Sequence, residues 1–298
     1  MCGKTERKNG MQNLQWYPGH MAKPRRLIEE NLKMIDVVVE ILDARIPYSG
    51  RNPYFNDIIK NKPRLLVMNK SDLADKNLTE RWINWYKNKG LKLIPISCTT
   101  GAGINKVISE AQSLIQDKID KDKEKGRTRT LKIMMVGIPN VGKSSLINRL
   151  VGKASTKTGD KPGVTRGKQW IRLKGNVELL DTPGILAPKF EDQEVAKRLA
   201  FTGAIKDEIM NTELLAYDLC ALLGERYPDL LCARYKIDTV ENLQGFEILE
   251  KIARKRGFII SGGEVDMERG ANMVIDELRG AKIGNITLEN PEIDLCEE

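Results

Sequence analysis

The octapeptide GIPNVGKS, residues 137–144, decides the fold of this chain. It fits the pattern GxxxxGK[S/T], and it stands between an apolar run at 131–136 (LKIMMV) and a segment with helical spacing. In a loop of this kind, backbone N–H groups surround a β-phosphate, and the N-terminus of the following helix adds positive potential. Lys143 supplies charge to the β- and γ-phosphates, and the Ser144 hydroxyl can bind Mg²⁺. The sequence therefore predicts a nucleoside triphosphate site on an α/β sheet.

A second motif, DTPG at 181–184, ends a predicted strand downstream of the phosphate loop. Asp and Gly mark many turns, so the motif gains its meaning only from this position. There we expect Asp181 to approach Mg²⁺ through water and the N–H of Gly184 to meet the γ-phosphate. Between the two motifs, the loop KPGVTR offers Thr165 as a second hydroxyl ligand of Mg²⁺. We expect Thr165 and Lys143 to take part in catalysis as well as in binding.

The stretch NKSD, residues 69–72, follows the apolar run RLLVM and predicts specificity for guanine. The Asp72 carboxylate can accept hydrogen bonds from N1–H and the 2-amino group of guanine, and adenine offers neither donor. Asn69 would brace the loops, and Lys70 would lie along the ribose. Ser97-Cys98, at the end of the next strand, is where backbone N–H groups would meet guanine O6. NKxD alone could be a helix cap, but together with a phosphate loop it favours GTP over ATP.

Together the motifs predict one site for GTP and GDP, with Mg²⁺ as its metal. The expected nucleotide ligands are Asn69, Lys70, Asp72, Ser97, Cys98, Asn140, Val141, Gly142, Lys143, Ser144, Ser145, Thr165 and Gly184. The expected Mg²⁺ ligands are Ser144, Thr165 and Asp181.

The order of these motifs is unusual, because the base motif precedes the phosphate motif. In ordinary small GTPases the phosphate loop comes first, followed by the switch threonine, DxxG and NKxD. The same sheet can be assembled if a surface linker joins the old chain ends, where permutation is tolerated. The charged segment at about 117–130, with almost no apolar residues, is the expected linker. A circularly permuted GTPase domain is therefore predicted over residues 14–195, after a mobile tail at 1–13.

Six short apolar runs predict strands, and helical stretches separate the first four. This alternation indicates a mostly parallel sheet covered on both faces, in an α/β fold. The last two runs flank Lys174-Gly175-Asn176, which reads as a hairpin turn. The predicted strands are 35–42, 64–68, 91–96, 131–136, 168–173 and 177–180. Helical spacing then dominates, which predicts an all-α C-terminal domain over residues 196–298.

The composition suits a globular protein of about two domains, with 298 residues, 41% hydrophobic and 30% charged. No run of about 18 apolar residues could span a bilayer. The five cysteines lack CxxC spacing and accompany a single histidine, which argues against structural zinc and favours reduced thiols in the cytoplasm. A net charge of +8 fits a nucleic-acid partner, and it fits a solvated lysine-rich surface about as well.

The permuted order, together with WYPGHMAK at 16–23 and DARIP at 43–47, resembles the YlqF/YawG family of circularly permuted GTPases. The resemblance covers almost the whole chain from about residue 14. It implies a cytoplasmic, monomeric factor that binds the maturing large ribosomal subunit and hydrolyses GTP when correctly docked, at a late step of assembly. It also implies that the C-terminal helical domain binds rRNA.

Ile185 follows DTPG, where many small GTPases carry the glutamine that orients the attacking water. An aliphatic side chain cannot orient water, so slow intrinsic hydrolysis is expected. The resemblance points to His20 as the catalytic group that positions the nucleophile, since a neutral histidine accepts a hydrogen bond from water. His20 could instead cap the following helix or touch RNA.

Asn140 stands in the loop form GxPNVGKS, which is similar to that of potassium-activated GTPases. In those proteins an asparagine carbonyl helps to hold K⁺ against the phosphates. K⁺ is therefore a candidate cofactor with Asn140 as its ligand, and an ordinary variable loop position is the alternative.

Basic clusters are the candidates for RNA contact, because arginine and lysine pair with phosphates. At a helix C-terminus they also complement the helix dipole, and only the resemblance favours rRNA. The candidates are Arg25, Arg26, Arg254, Lys255, Arg256 and Arg269. Two rival functions stay open. One is an RNA-binding scaffold that senses GTP with little turnover. The other is a small-subunit assembly GTPase, although such factors usually carry an OB-fold or zinc module and no Cys/His cluster stands in this sequence.

Overall fold

The computed structural model describes residues 22–59, 62–152, 169–186, 192–205 and 211–295, and it contains one six-stranded sheet. The strands are β1 (Val37–Asp43), β2 (Arg64–Asn69), β3 (Lys92–Pro95), β4 (Leu131–Gly137), β5 (Gln169–Leu173) and β6 (Val177–Asp181). Their order across the sheet is β3-β2-β1-β4-β6-β5. Every neighbouring pair is parallel except β5 and β6. The predicted six-stranded, mostly parallel sheet is confirmed.

Strand β1 lies between β2 and β4, where it joins the two halves of the permuted sheet. All seven of its residues are buried, as expected of a strand covered on both faces. Helices on the two faces supply the cover. They are α1 (Ala22–Leu32), α2 (Pro53–Ile59), α3 (Lys76–Asn88), α4 (Ile104–Ser113), α5 (Gln116–Glu124) and α6 (Lys143–Gly152). At the β5 edge of the sheet, the turn between β5 and β6 contains Gly175 and Asn176 with φ of +80° and +56°, which suits a tight hairpin.

The segment predicted as a linker, 117–130, begins as a helix rather than as an irregular loop. Helix α5 has no fully buried residue, and its apolar contact is limited to Ile119, which is partly buried against the main hydrophobic cluster. Local polar pairs support it instead: the Gln116 amide donates to Asp120 at 2.9 Å, and Asp117 lies in its first turn. The joining role of this segment in the permutation stays a prediction.

The C-terminal region is helical, as predicted, and it packs directly on the sheet domain. Its helices are α7 (Gln193–Phe201), α8 (Thr212–Arg226), α9 (Pro228–Tyr235), α10 (Gly245–Lys255) and α11 (Met267–Arg279). Helix α8 contacts α10 closely, since a Cβ on Gly245 would lie 1.9 Å from the carbonyl oxygen of Tyr217. One hydrophobic cluster runs continuously from β1 and β4 into α7, α8 and α11. The two regions therefore share a core.

The last described segment, 281–295, contains neither helix nor strand and returns to the sheet domain. Its backbone N–H groups at Ile286 and Leu288 donate to the carbonyl oxygens of Leu73 (3.0 Å) and Arg45 (2.7 Å). The all-α prediction for 196–298 therefore omits a segment whose hydrogen bonds are made with distant loops. Within the described ranges, no helix has the length and apolar character that crossing a bilayer requires.

Candidate guanine-nucleotide site

The sheet brings the base motif and the phosphate motif to one edge. NKSD begins at the last residue of β2 and GIPNVGKS at the last residue of β4, and both strands run parallel to β1 between them. Because parallel strands end at the same edge of a sheet, the two loops lie side by side. The side-chain amide of Asn69 spans them, donating to the carbonyl oxygen of Val141 at 2.8 Å. The two separated motifs thus form a single site.

Asn69 also holds a third loop, because its Oδ1 accepts a hydrogen bond from the backbone N–H of Cys98 at 3.1 Å. Burial raises the pKa of the Cys98 thiol to about 11, so the neutral thiol lies in this loop at neutral pH. Close packing against Asn69 also explains Gly142. A Cβ there would lie 2.2 Å from the Asn69 amide nitrogen, and φ is +93°.

The carboxylate of Asp72 has a buried Oδ1 without a hydrogen-bond partner in the described part of the chain. A buried carboxylate oxygen is costly unless a donor meets it. Guanine supplies two donors on its N1 and 2-amino groups, and adenine supplies neither. The geometry therefore fits the base preference predicted from NKSD.

Lys70 of NKSD contacts two buried charged residues, Asp43 and Arg45, to which the sequence prediction assigned no role. Two nitrogens of Arg45 donate to Asp43, at 3.0 and 2.8 Å, and Lys70 Nζ lies 2.8 Å from Asp43 Oδ2. Lys70 also donates to the carbonyl oxygen of Asn140 at 2.9 Å. Burial alone would raise the pKa of Asp43, but Arg45 and Lys70 hold it well below its usual range. The signal in the sequence was DAR at the end of a strand adjacent to β2.

At the phosphate side, Lys143 donates to the carboxylate of Asp181, and both side chains are buried. The sequence assigns Lys143 to phosphates and Asp181 to Mg²⁺, so the two predicted ligands lie together and neutralise each other here. The DTPG loop lies against the phosphate loop: a Cβ on Gly184 would be 3.0 Å from the Pro139 backbone nitrogen. Ile185 is buried among apolar side chains and donates its N–H to Gly137 at 3.1 Å.

The phosphate loop also touches the helical region. Asn140 has φ of +58°, and its side-chain amide donates to the carbonyl oxygen of Gly203, after α7, at 2.7 Å. Val141 is buried, and Ser144 and Ser145 lie in the first turn of α6.

Two predicted catalytic residues, His20 and Thr165, lie outside the described residues, as does the side chain of Arg25. Arg26 is exposed and pairs with Glu30 at 2.8 Å. Among the other RNA candidates, Arg254 pairs with Glu250, and the Arg269 guanidinium stacks on Phe258 at 4.3 Å. Lys255 is exposed, and Arg256 lies over the Tyr235 ring and 3.7 Å from Glu277. These residues do not converge on the nucleotide site.

Fold and site together define a P-loop GTPase with circularly permuted motifs. The sequence is 48% identical over 281 residues to ribosome biogenesis GTPase A of Bacillus cereus, covering 94% of each chain. The chain belongs to the family of ribosome biogenesis GTPase A, and it is a guanine-nucleotide-binding GTP hydrolase.

Further comparisons agree with this assignment. A family described as 50S ribosome-binding GTPase matches residues 132–223. Mitochondrial ribosome-associated GTPase 1 of Mus musculus is 33% identical over 302 residues, covering 95% of this chain and 92% of the mouse protein. Among solved structures, GNP-bound YlqF from T. maritima matches with a TM-score of 0.61 and 28% identity, covering 91% of this chain and 99% of that one.

Replacing Asp72 by Asn tests the base site. The amide brings a donor to the position where guanine also donates, and it removes the charge-assisted bonds. We expect GDP affinity to fall by about 10- to 100-fold, in line with hydrogen bonds to charged groups. Xanthosine diphosphate should gain affinity, since its C2 carbonyl accepts from the amide. Titration of both nucleotides measures this, with exposed Asp57→Asn as the control. Unchanged GDP affinity in Asp72→Asn would refute the assignment.

Proposed function

We propose that this GTPase binds the maturing large ribosomal subunit in the cytoplasm and promotes a late step of its assembly, hydrolysing GTP when docked. The observation that carries the proposal is the 48% identity to ribosome biogenesis GTPase A across 94% of both chains. The match of residues 132–223 to the 50S ribosome-binding GTPase family favours the large subunit over the small one. The protein acts as a monomer that forms its nucleotide site from one chain.

In the proposed reaction, Lys143 leaves Asp181 and binds the β- and γ-phosphates, where its charge offsets the charge that develops on transfer. Ser144, Thr165 and Asp181 would hold Mg²⁺, which would supply Lewis-acid stabilisation of the phosphate oxygens. The buried Lys143–Asp181 pair supports this, because the phosphates and the metal replace each partner's opposite charge. The backbone of the phosphate loop surrounds the β-phosphate.

His20 positions the attacking water in this proposal. Ile185 is buried in an apolar cluster with Ile28 of α1, so its side chain cannot reach the nucleophile. Helix α1 begins at Ala22, two positions after His20 in the chain. The helix that follows His20 and the residue that follows DTPG therefore belong to one apolar cluster, which supports a catalytic histidine arriving from the N-terminal side.

A basic cavity on the GTPase domain supports an RNA partner. It has a volume of about 550 Å³ and lies near the starts of β2 and β3, away from the nucleotide edge. Its charged lining consists of Arg51, Lys62, Arg64, Lys89 and Lys92. Two carboxylates lie near these five cations: buried Glu40, 3.3 Å from Arg64, and Glu110, paired with Lys92. The excess of positive charge suits RNA phosphates, in addition to Arg26 of α1 and the C-terminal candidates Arg254, Lys255, Arg256 and Arg269.

A GTP-sensing RNA-binding scaffold with little turnover is the second candidate, and Ile185 in place of a water-orienting glutamine favours it. The two candidates differ in turnover on the ribosomal particle.

GTP turnover measured with and without purified large subunits tests the function. We expect slow hydrolysis alone and at least about tenfold stimulation by large subunits. His20→Ala should lower the stimulated rate by about 100-fold or more, the usual contribution of a general base, without weakening GDP binding. Met21→Ala is the neighbouring control. Stimulation by small subunits alone would refute the large-subunit assignment, and no stimulation by either would favour the scaffold.

Potassium dependence tests Asn140. If the side-chain carbonyl oxygen of Asn140 helps to hold K⁺ against the phosphates, turnover is faster in KCl than in NaCl at equal ionic strength. Asn140→Gly keeps the positive φ without strain and should abolish the difference between the salts. Equal wild-type rates in the two salts would exclude K⁺ as a cofactor.

Charge reversal at the basic cavity tests the RNA surface. Lys62→Glu with Lys89→Glu should weaken binding to large-subunit rRNA and reduce the slope of log affinity against log salt by about 1 per lysine. Lys87→Glu with Lys106→Glu changes two exposed lysines that do not line the cavity and serves as the control. Equal losses in both double variants would mean that only net charge matters.

A further inference from the structure

The C-terminal segment Asn285–Glu289 crosses the loop that carries the guanine-specific carboxylate. The amide of Asn285 donates to the backbone carbonyl oxygen of Asp72 at 3.0 Å. One residue later, the Ile286 N–H donates to the carbonyl oxygen of Leu73, also at 3.0 Å. The Thr287 hydroxyl then accepts from the N–H of Asp75 at 3.1 Å. Three successive residues of the segment therefore hold the chain immediately after NKS.

The same segment holds the loop after β1. The N–H of Leu288 donates to the Arg45 carbonyl oxygen at 2.7 Å. The carboxylate of Glu289, which is fully buried, accepts from the N–H groups of Tyr48 and Ser49 at 2.6 and 2.9 Å. The segment thus connects the loop bearing Asp72 to the loop whose Arg45 neutralises Asp43.

The last residue of helix α8, Arg226, and the residue after it, Tyr227, fix the segment from the other side. The Tyr227 hydroxyl donates to the Thr287 carbonyl oxygen at 2.8 Å and accepts from the Thr287 N–H at 3.2 Å. Arg226 donates to the carbonyl oxygen of Leu288 at 3.0 Å and binds both carboxylate oxygens of Asp294. A segment bonded on both sides is a rigid support for the loop that it touches.

We propose that Asn285–Glu289 positions Asp72 for guanine recognition, with Asn285 as the principal positioning residue and Thr287 as the second. The Oδ1 atom of Asp72 has no partner of its own within the described residues, so its place depends on the backbone that carries it. Asn285 bonds that backbone at residue 72 itself. In this proposal Asn285 and Thr287 do not contact the base, and each acts through the loop that carries Asp72.

A purely structural role would lower stability without changing which base is preferred. Inosine diphosphate separates the two roles, because hypoxanthine keeps N1–H and lacks the 2-amino group of guanine. Wild-type protein should prefer GDP to IDP, since Asp72 can accept from both guanine donors. If the carboxylate moves, the bond to the 2-amino group weakens and the preference shrinks.

The experiment measures dissociation constants for GDP and IDP, with thermal unfolding in parallel, on the full chain. For Asn285→Ala we expect GDP affinity to fall by about 2- to 10-fold, which is the size of one neutral hydrogen bond. The ratio of the IDP dissociation constant to the GDP dissociation constant should fall by a similar factor. Thr287→Val removes the acceptor for Asp75 with little change in volume and should shift the ratio in the same direction. Asn272→Ala is the matched control, since this amide also donates to a backbone carbonyl, that of Glu268 in α11.

A ratio unchanged from wild type in both Asn285→Ala and Thr287→Val would overturn the proposal, whether or not the unfolding temperature falls. If one variant fails to fold, the ratio of the other decides. These outcomes are independent of ribosome binding, so the proposal stands or falls separately from the assembly function.

Discussion

The nucleotide site depends on two hydrogen bonds made by the side-chain amide of Asn69. One end of its amide donates to Val141 in the phosphate loop, and the other end accepts from Cys98 in the loop after β3. Asp could not donate the first bond, and Gln would carry the amide one methylene too far. The base motif and the phosphate motif are far apart in the sequence, with β3 between them. A side-chain contact, rather than a short connecting loop, therefore sets the distance between the base site and the phosphate site.

The strands and the nucleotide loops could be predicted from the sequence, because both depend on local patterns. Short apolar runs identified all six strands, with bounds that differ by one or two residues, as at β1, which begins at Val37 rather than at 35. The common location of the nucleotide loops could be predicted as well, because parallel strands end at the same edge of a sheet. Gly142 could be identified for the same reason: its place in the motif is fixed by backbone geometry, here a φ of +93° against the Asn69 amide.

Contacts between distant segments could not be predicted, because no local pattern encodes them. Asn285 lies 213 positions from Asp72, and periodicity in the C-terminal region indicated only helices. The pairing of Lys70 with Asp43 depends on the β1–β2 register, in which Asp43 stands opposite Asn69. The part of helix α5 within the predicted linker was missed for a different reason: it is mostly exposed and polar, whereas the prediction weighed apolar periodicity.

The contacts around the phosphate loop form a closed ring that includes the helical region. Asn140 donates to Gly203 after α7, and the Arg279 side chain of α11 donates to the neighbouring Ala200 carbonyl oxygen at 2.9 Å. Arg45 donates to the Arg279 carbonyl oxygen at 3.3 Å and neutralises Asp43, which binds Lys70. Lys70 closes the ring on the Asn140 carbonyl oxygen. A change in the phosphate loop therefore alters bonds to α7 and to the base motif together, because Asn140 uses its side chain for one and its backbone for the other. The ring therefore connects the phosphate loop, the base motif and the helical region through one set of polar contacts.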